Sequence, residues 1–109
     1  MEFDTIVVMI TTASKEEAEK IAETVVIERL AACAQTGVPI RSFYWWDGKV
    51  NKDPEQLLIL KSRKELLPEI IRRVKQLHSY DVPEIIAVPV IDGSDEYLKW
   101  LKRETGGHD

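Results

Sequence analysis

Asp47-Gly48 follows directly on Ile40-Arg41-Ser42-Phe43-Tyr44-Trp45-Trp46 and precedes Lys49-Val50-Asn51. A two-residue turn of this kind needs positive φ at both positions, which aspartate tolerates and glycine takes freely, so the pair closes an antiparallel hairpin. The flanking segments are then neighbours in one sheet. Strand alternation puts Tyr44 and Trp46 on one face and Trp45 on the other. Strands of about eight residues reach roughly 26 Å, far enough for the tip to project past shorter neighbours. Large rings at such a tip form an apolar patch unless the helices cover them or another subunit does. Burial against a second subunit is favoured, because aromatics dominate interface energetics.

The rest of the chain arranges itself around that hairpin. Phe3 to Thr11 is rich in β-branched residues, with a continuous apolar run from Ile6 to Ile10 that suits a central strand. Ser14 and Glu17 form a capping box, and Ala18, Ile21, Ala22, Val25 and Val26 repeat at helical spacing behind it. Ala31 to Ala34 leads into the second strand, punctuated by Gly37 and Pro39. Asp53-Pro54 is expected to break or bulge the return strand, since proline cannot donate to a ladder; Glu55 to Ser62 is the third strand proper. Leu66, Leu67, Ile70, Ile71, Val74 and Leu77 predict a helix over 64–78 with Pro68 in its first turn. Glu84 to Ile91 reads as a fourth strand, with Pro89 marking an edge or bulge. Ser94-Asp95-Glu96 opens a short last helix that Gly106-Gly107 stops, leaving His108-Asp109 to fray.

The order β-α-β-β-α-β plus a C-terminal helix is the split βαβ, ferredoxin-like arrangement of the α+β class. The 109 residues fit one domain, 1–109, burying about two-thirds of its unfolded surface. Topology of this kind assigns no chemistry. RNA-recognition domains share the order, but the third strand here reads Leu57-Leu58-Ile59-Leu60 without an aromatic, and the net charge is −4. Nucleic acid is therefore excluded as the expected partner. The start, Met1-Glu2-Phe3-Asp4, lacks a basic signal-peptide region, and the Ile6–Ile10 run is too short to span a membrane. A lone cysteine, Cys33, makes a disulfide framework impossible within the chain. The expected setting is cytoplasmic and away from the membrane.

No Gly-rich phosphate loop, Cys-x-x-Cys or His-Glu-x-x-His is present, and no enzyme is expected. Two groupings stand out. His78 and Glu84 form a carboxylate–imidazole pair suited to zinc or copper, near Lys61 and Tyr80. The alternative is that His78 caps a helix end and Glu84 pairs with Lys61. Cys33, set among alanines, reads as a small packed thiol, with a metal-ligating role as the alternative. Lys61 and Arg63 are candidate contacts for an anion.

Five stretches taken together resemble the CutA divalent-cation-tolerance family. They are Glu28-Arg29-Leu30-Ala31-Ala32-Cys33, Tyr44-Trp45-Trp46-Asp47-Gly48-Lys49, Leu60-Lys61-Ser62-Arg63, His78 through Ile85, and Tyr97-Leu98-Lys99-Trp100-Leu101. The resemblance implies a homotrimer of ferredoxin-like subunits, similar in architecture to PII signalling proteins, with the hairpins pairing between subunits around Tyr44, Trp45 and Trp46. It implies a role in tolerance to copper and other divalent cations; a bound cation is then the expected cofactor, with His78, Glu84 and Cys33, read above from the residues, as its candidate ligands. A PII-like trimer would instead take a small anion in intersubunit clefts, at Lys61, Arg63 and Tyr80; a structural module would take no ligand. Some members carry a cysteine at the end of the first strand and a His-His pair before the tyrosine. Here those positions hold Ile10 and Leu77-His78.

Overall fold

The structure is a computed structural model and describes residues 3–106; Gly107 and His108-Asp109, expected to stop the last helix and fray, lie outside the described residues. The elements in order are β1 (Thr5–Thr12), α1 (Lys15–Ile27), β2 (Cys33–Trp46), β3 (Lys49–Arg63), α2 (Leu67–Leu77), β4 (Ile85–Pro89) and α3 (Asp95–Glu104). The strands form one antiparallel sheet in the order β2-β3-β1-β4. This is the expected ferredoxin-like α+β architecture, with β1 and β3 central.

Strand alternation sorts the sheet into two faces. Ile6, Val8 and Ile10 of β1 and Leu58, Leu60 and Ser62 of β3 are buried on one face, under Ala18, Ile21 and Val25 of α1 and Ile70 and Val74 of α2. Val7, Met9, Ile59, Ile86 and Val88 share the other face, where Ile86 and Val88 remain exposed. α3 lies across one end of this second face. Leu101 is buried there, and Arg63, which shares the parity of Ile59, donates from Nε to the Thr105 hydroxyl at 2.7 Å.

The hairpin is longer than expected. β2 has 14 residues and β3 has 15, joined by Asp47 (φ 53) and Gly48 (φ 76) as the turn chemistry requires. Asn51 ties the turn by donating its side-chain amide to the carbonyls of Trp46 and Lys49. Asp53-Pro54 does not break β3: Ser42 faces Asp53 and Arg41 faces Pro54 without a shift. The reason is position. β1 ends at Thr12, opposite Gln56, so Pro54 stands where β3 has a partner on one side only, and a missing donor is tolerated. The irregularity falls instead on β2, between Gln35 and Val38, where Gly37 takes φ 97. Pro39 follows on the same edge strand, and Pro89 ends the edge strand β4, as its sequence signalled.

Helix ends also depart from expectation. Residues 64–66 form a 3-10 turn, α2 begins at Leu67, and Pro68 sits in its first turn. Ser14 caps α1 by accepting from the Glu17 amide at 3.1 Å, but the Glu17 carboxylate reaches the Ala13 amide rather than that of Ser14. Ser94 makes no side-chain cap for α3, whose first turn relies on Asp95 and Glu96.

Candidate functional site

Beyond the end of β1, β3 runs on from Glu55 to Lys49 beside nothing but β2, about 23 Å of strand at 3.3 Å per residue. The loop between α2 and β4 packs into the notch this leaves. An open cleft of about 880 Å³ lies between them, walled by the hairpin on one side and by Tyr80, Asp81, Val82 and Glu84 on the other. It is the concave feature where aromatic and charged side chains converge, the usual signature of a binding site.

Two tyrosine–carboxylate pairs build its floor. The Tyr80 hydroxyl donates to Glu55 Oε2 at 2.8 Å, and the Tyr44 hydroxyl donates to Asp53 Oδ2. Asp53 and Glu55 are two residues apart on β3, so the strand period puts both carboxylates on one face. Burial, followed by the hydrogen bond to Glu55, pushes the Tyr80 phenol far above its ordinary value of 10.0. The bond to Asp53 raises Tyr44 as well. Both phenols are held in the protonated, donating form.

His78 holds the loop. It is the C-cap of α2, with extended backbone, and its side chain is fully buried. Nε2 lies 2.8 Å from the Thr11 carbonyl and Nδ1 lies 3.1 Å from the Tyr80 amide. A carbonyl can only accept and an amide can only donate, so the ring carries its proton on Nε2 and accepts at Nδ1. The ring also packs on Tyr80 with centroids 4.8 Å apart. Glu17 braces the same loop, accepting from the Ser79 amide at 3.0 Å and from the Ala13 amide at 3.1 Å. Burial raises its pKa, but the bonds to Ser79 and Ala13 and the nearby His78 outweigh that and leave it lowered.

The candidate metal ligands do not come together among the described residues. His78 has no nitrogen lone pair to offer while it bonds Tyr80, so it is a positioning residue for the loop rather than a ready ligand. Cys33 pairs across the sheet with Lys61, level with Val7, while His78 sits by Thr11 four positions along β1. Cys33 is half-buried near Tyr97, whose pKa is raised by burial first and by Cys33 next. Glu84 does line the cleft, exposed and without an ion pair among the described residues; the Lys61 expected to meet it donates instead to Gln35 Oε1 at 2.6 Å. Among the described residues, no three His, Cys, Asp or Glu side chains are set to hold a metal ion together. Ile10 is in the core and Leu77 packs against it.

The anion contacts fare similarly. Arg63 is spent on Thr105 and on an ion pair with Glu65, so neither it nor Lys61 faces the cleft. Only Tyr80 of the three anion candidates lines it. Of the three rings at the hairpin tip, Tyr44 and Trp46 line the cleft, while Trp45, 74% exposed, does not. The sequence assigns Asp53, Glu55 and Asp81 no part in a site, and Glu17 only a helix-capping one. The alternate carboxylates at Asp53 and Glu55 were the available signal, hidden by treating Pro54 as a break.

Comparison with known proteins matches residues 6–104 to the family described as CutA1 divalent ion tolerance protein. The chain is 47% identical over 100 residues to "Protein CutA 1, chloroplastic" of Oryza sativa subsp. japonica, covering 92% of this chain and 56% of that one, so it spans about half the length of that relative. The solved divalent cation tolerance protein (Cut A1) from Thermus thermophilus superposes with a TM-score of 0.91 at 46% identity, over 94% of this chain and 99% of that one. The periplasmic divalent cation tolerance protein CutA from Archaeoglobus fulgidus gives 0.90 at 40% identity, over 93% and 98%.

Proposed function

This chain belongs to the CutA1 divalent ion tolerance family, and from that premise we propose that it acts in tolerance to divalent cations, copper among them, as a homotrimer and by binding rather than by catalysis. The observation that carries the binding part is the pair of exposed carboxylates at the cleft mouth. Asp81 and Glu84 line the cleft and have no partner among the described residues. Two hard oxygen donors from one chain are too few for a tight site, so water or a neighbouring subunit completes the shell. His78 contributes by fixing the loop that presents them, and Cys33 stands apart from the site. The proposed compartment is the cytoplasm, supported by a lone, half-buried, unpaired cysteine; among the described residues no helix is long and apolar enough to cross a membrane.

The assembly part rests on two uncovered apolar patches. Ile86 and Val88 on the open face of the sheet, and Trp45 with its cross-strand partner Val50 on the opposite side of the hairpin tip, are exposed and suit burial by copies of the same chain. Calorimetric titration with Cu²⁺ and Zn²⁺ tests the binding part. Glu84→Gln is expected to weaken uptake about tenfold, while Cys33→Ser leaves it unchanged. Equal uptake by Glu84→Gln and wild type overturns the carboxylate site, and absence of uptake by wild type favours a module without a metal ligand.

A further inference from the structure

The cleft has a chemical character that a small metal ion does not use. Its lining includes the aromatic residues Phe43, Tyr44, Trp46 and Tyr80. It also includes the carboxyl groups of Asp53, Glu55, Asp81 and Glu84, and no lysine, arginine or histidine among the described residues that line it. The hydroxyl protons of Tyr44 and Tyr80 are directed at Asp53 and Glu55. What remains turned to the cleft is then mainly acceptor: phenol oxygens and the second oxygens of the carboxylates.

The four carboxylates do not converge. No three of them stand close enough to share one ion. They are spread along the walls with aromatic rings between them. An acceptor-rich trough of this kind selects a ligand with several N–H donors, separated positive charges and an apolar body between the charges. Ammonium groups satisfy the carboxylates, methylenes lie on the rings, and a cation over a tryptophan or tyrosine face is attracted by its quadrupole. Phe43 already shows the interaction within the chain, for the Lys52 ammonium stands 5.9 Å from its ring centroid. Phe43 and Lys52 share the parity of Trp45, on the other side of the hairpin, so Trp46 and Tyr44 are the rings left for a ligand. The volume, about 880 Å³, exceeds what a hydrated ion needs and suits an extended small molecule.

We propose that the cleft between the hairpin and the α2–β4 loop binds an aliphatic polyamine, its ammonium groups on Asp53, Glu55 and the mouth carboxylates and its methylenes on Trp46 and Tyr44. The proposal goes beyond divalent-cation tolerance; it shares the mouth carboxylates Asp81 and Glu84 with the cation site proposed above but is tested on Asp53 and Trp46, which that reading does not use. It also explains why the tyrosine hydroxyls face the carboxylates: each pair fixes an acid in a defined rotamer before the ligand arrives.

The test is calorimetric titration of the full chain, in its solution assembly, with spermidine at about 0.15 M salt, where surface attraction is screened. Butanediol, which has methylenes without charge, and Mg²⁺, which has charge without methylenes, are run alongside. Saturable binding of spermidine, no binding of butanediol and no displacement by Mg²⁺ at equal charge are expected. Asp53→Asn and, separately, Trp46→Leu each weaken spermidine binding about tenfold. Glu96→Gln, which removes the same charge on exposed α3, leaves it unchanged. Circular dichroism confirms that each variant is folded, and either cleft variant alone suffices. Spermidine heats matched by Mg²⁺ at equal charge, or equal losses in Asp53→Asn and Glu96→Gln, would show general charge attraction and overturn the proposal. Unaltered affinity in Trp46→Leu overturns the trough geometry.

Discussion

Glu17 joins three parts of the chain through one carboxylate: the end of β1 at Ala13, the start of α1 that it belongs to, and Ser79 after α2. Its lowered pKa fixes a sign. A depressed carboxylate stabilises the fold at pH above its ordinary value of 4.5, and that contribution disappears as pH falls through the lower folded value. Glu17→Gln is therefore expected to cost about 1 kcal/mol at neutral pH, consistent with hydrogen bonds to a charged group, and to flatten the loss of stability below pH 4.5, read by urea denaturation at stepped pH. The tyrosines run in the opposite sense. All three, Tyr44, Tyr80 and Tyr97, are raised from 10.0, so their stabilisation is present below pH 10 and lost as pH climbs through the raised values. An ultraviolet titration is expected to show little phenolate at pH 10 in the folded chain and abundant phenolate once it is denatured; ordinary ionisation in the folded chain would contradict both carboxylate pairs. His78 shows why such sites resist reading from sequence. Its residue type suggested ligation, but its chemistry is settled by the Thr11 carbonyl and the Tyr80 amide, and backbone partners leave no mark in composition.

Among the elements, α3 is the least self-sufficient. Ten residues are too few to hold a helix in water. It is kept by Leu101, by the Arg63 bonds to Thr105 and by Arg29 reaching Glu104 at 2.6 Å. Arg63→Ala is expected to cost about 2 kcal/mol, because it leaves buried Thr105 groups unanswered. The cost should appear locally: amide exchange accelerates in α3 while β1 and β3 stay protected, and equal acceleration everywhere would refute the docking role. The elements themselves were largely legible, because their signals are local. Asp47-Gly48 fixed the turn through its own backbone, and the 3–4 spacing of Ile70, Val74 and Leu77 fixed a helix. Pro54 was misread because its tolerance depends on where β1 ends, a fact of sheet order rather than of neighbours in sequence. The fate of Arg63 was hidden for the same reason, since Thr105 lies forty-two residues away.

At the scale of the molecule, the hairpin sets the long dimension of a body measuring 47 × 29 × 23 Å. One face of the sheet is sealed by α1 and α2, and the other keeps Ile86 and Val88 half open beside a tip where Trp45 is 74% exposed. Light scattering is expected to give a trimer at roughly micromolar concentration, the usual range for a specific apolar interface. Val88→Asp is expected to yield a folded monomer, since a buried unpaired charge is costly at an interface; a wild-type monomer would refute the assembly. The same geometry bears on what the chain avoids. The sheet has three stretches of unpaired edge: β2 along its length, β4 on the far side, and the overhang of β3 beyond β1. Each carries a proline, Pro39, Pro89 and Pro54 respectively. A proline interrupts the row of donors that an incoming strand would need. So much bare strand would template pairing with another sheet edge, and the three prolines blunt each stretch of it, which disfavours open-ended strand addition.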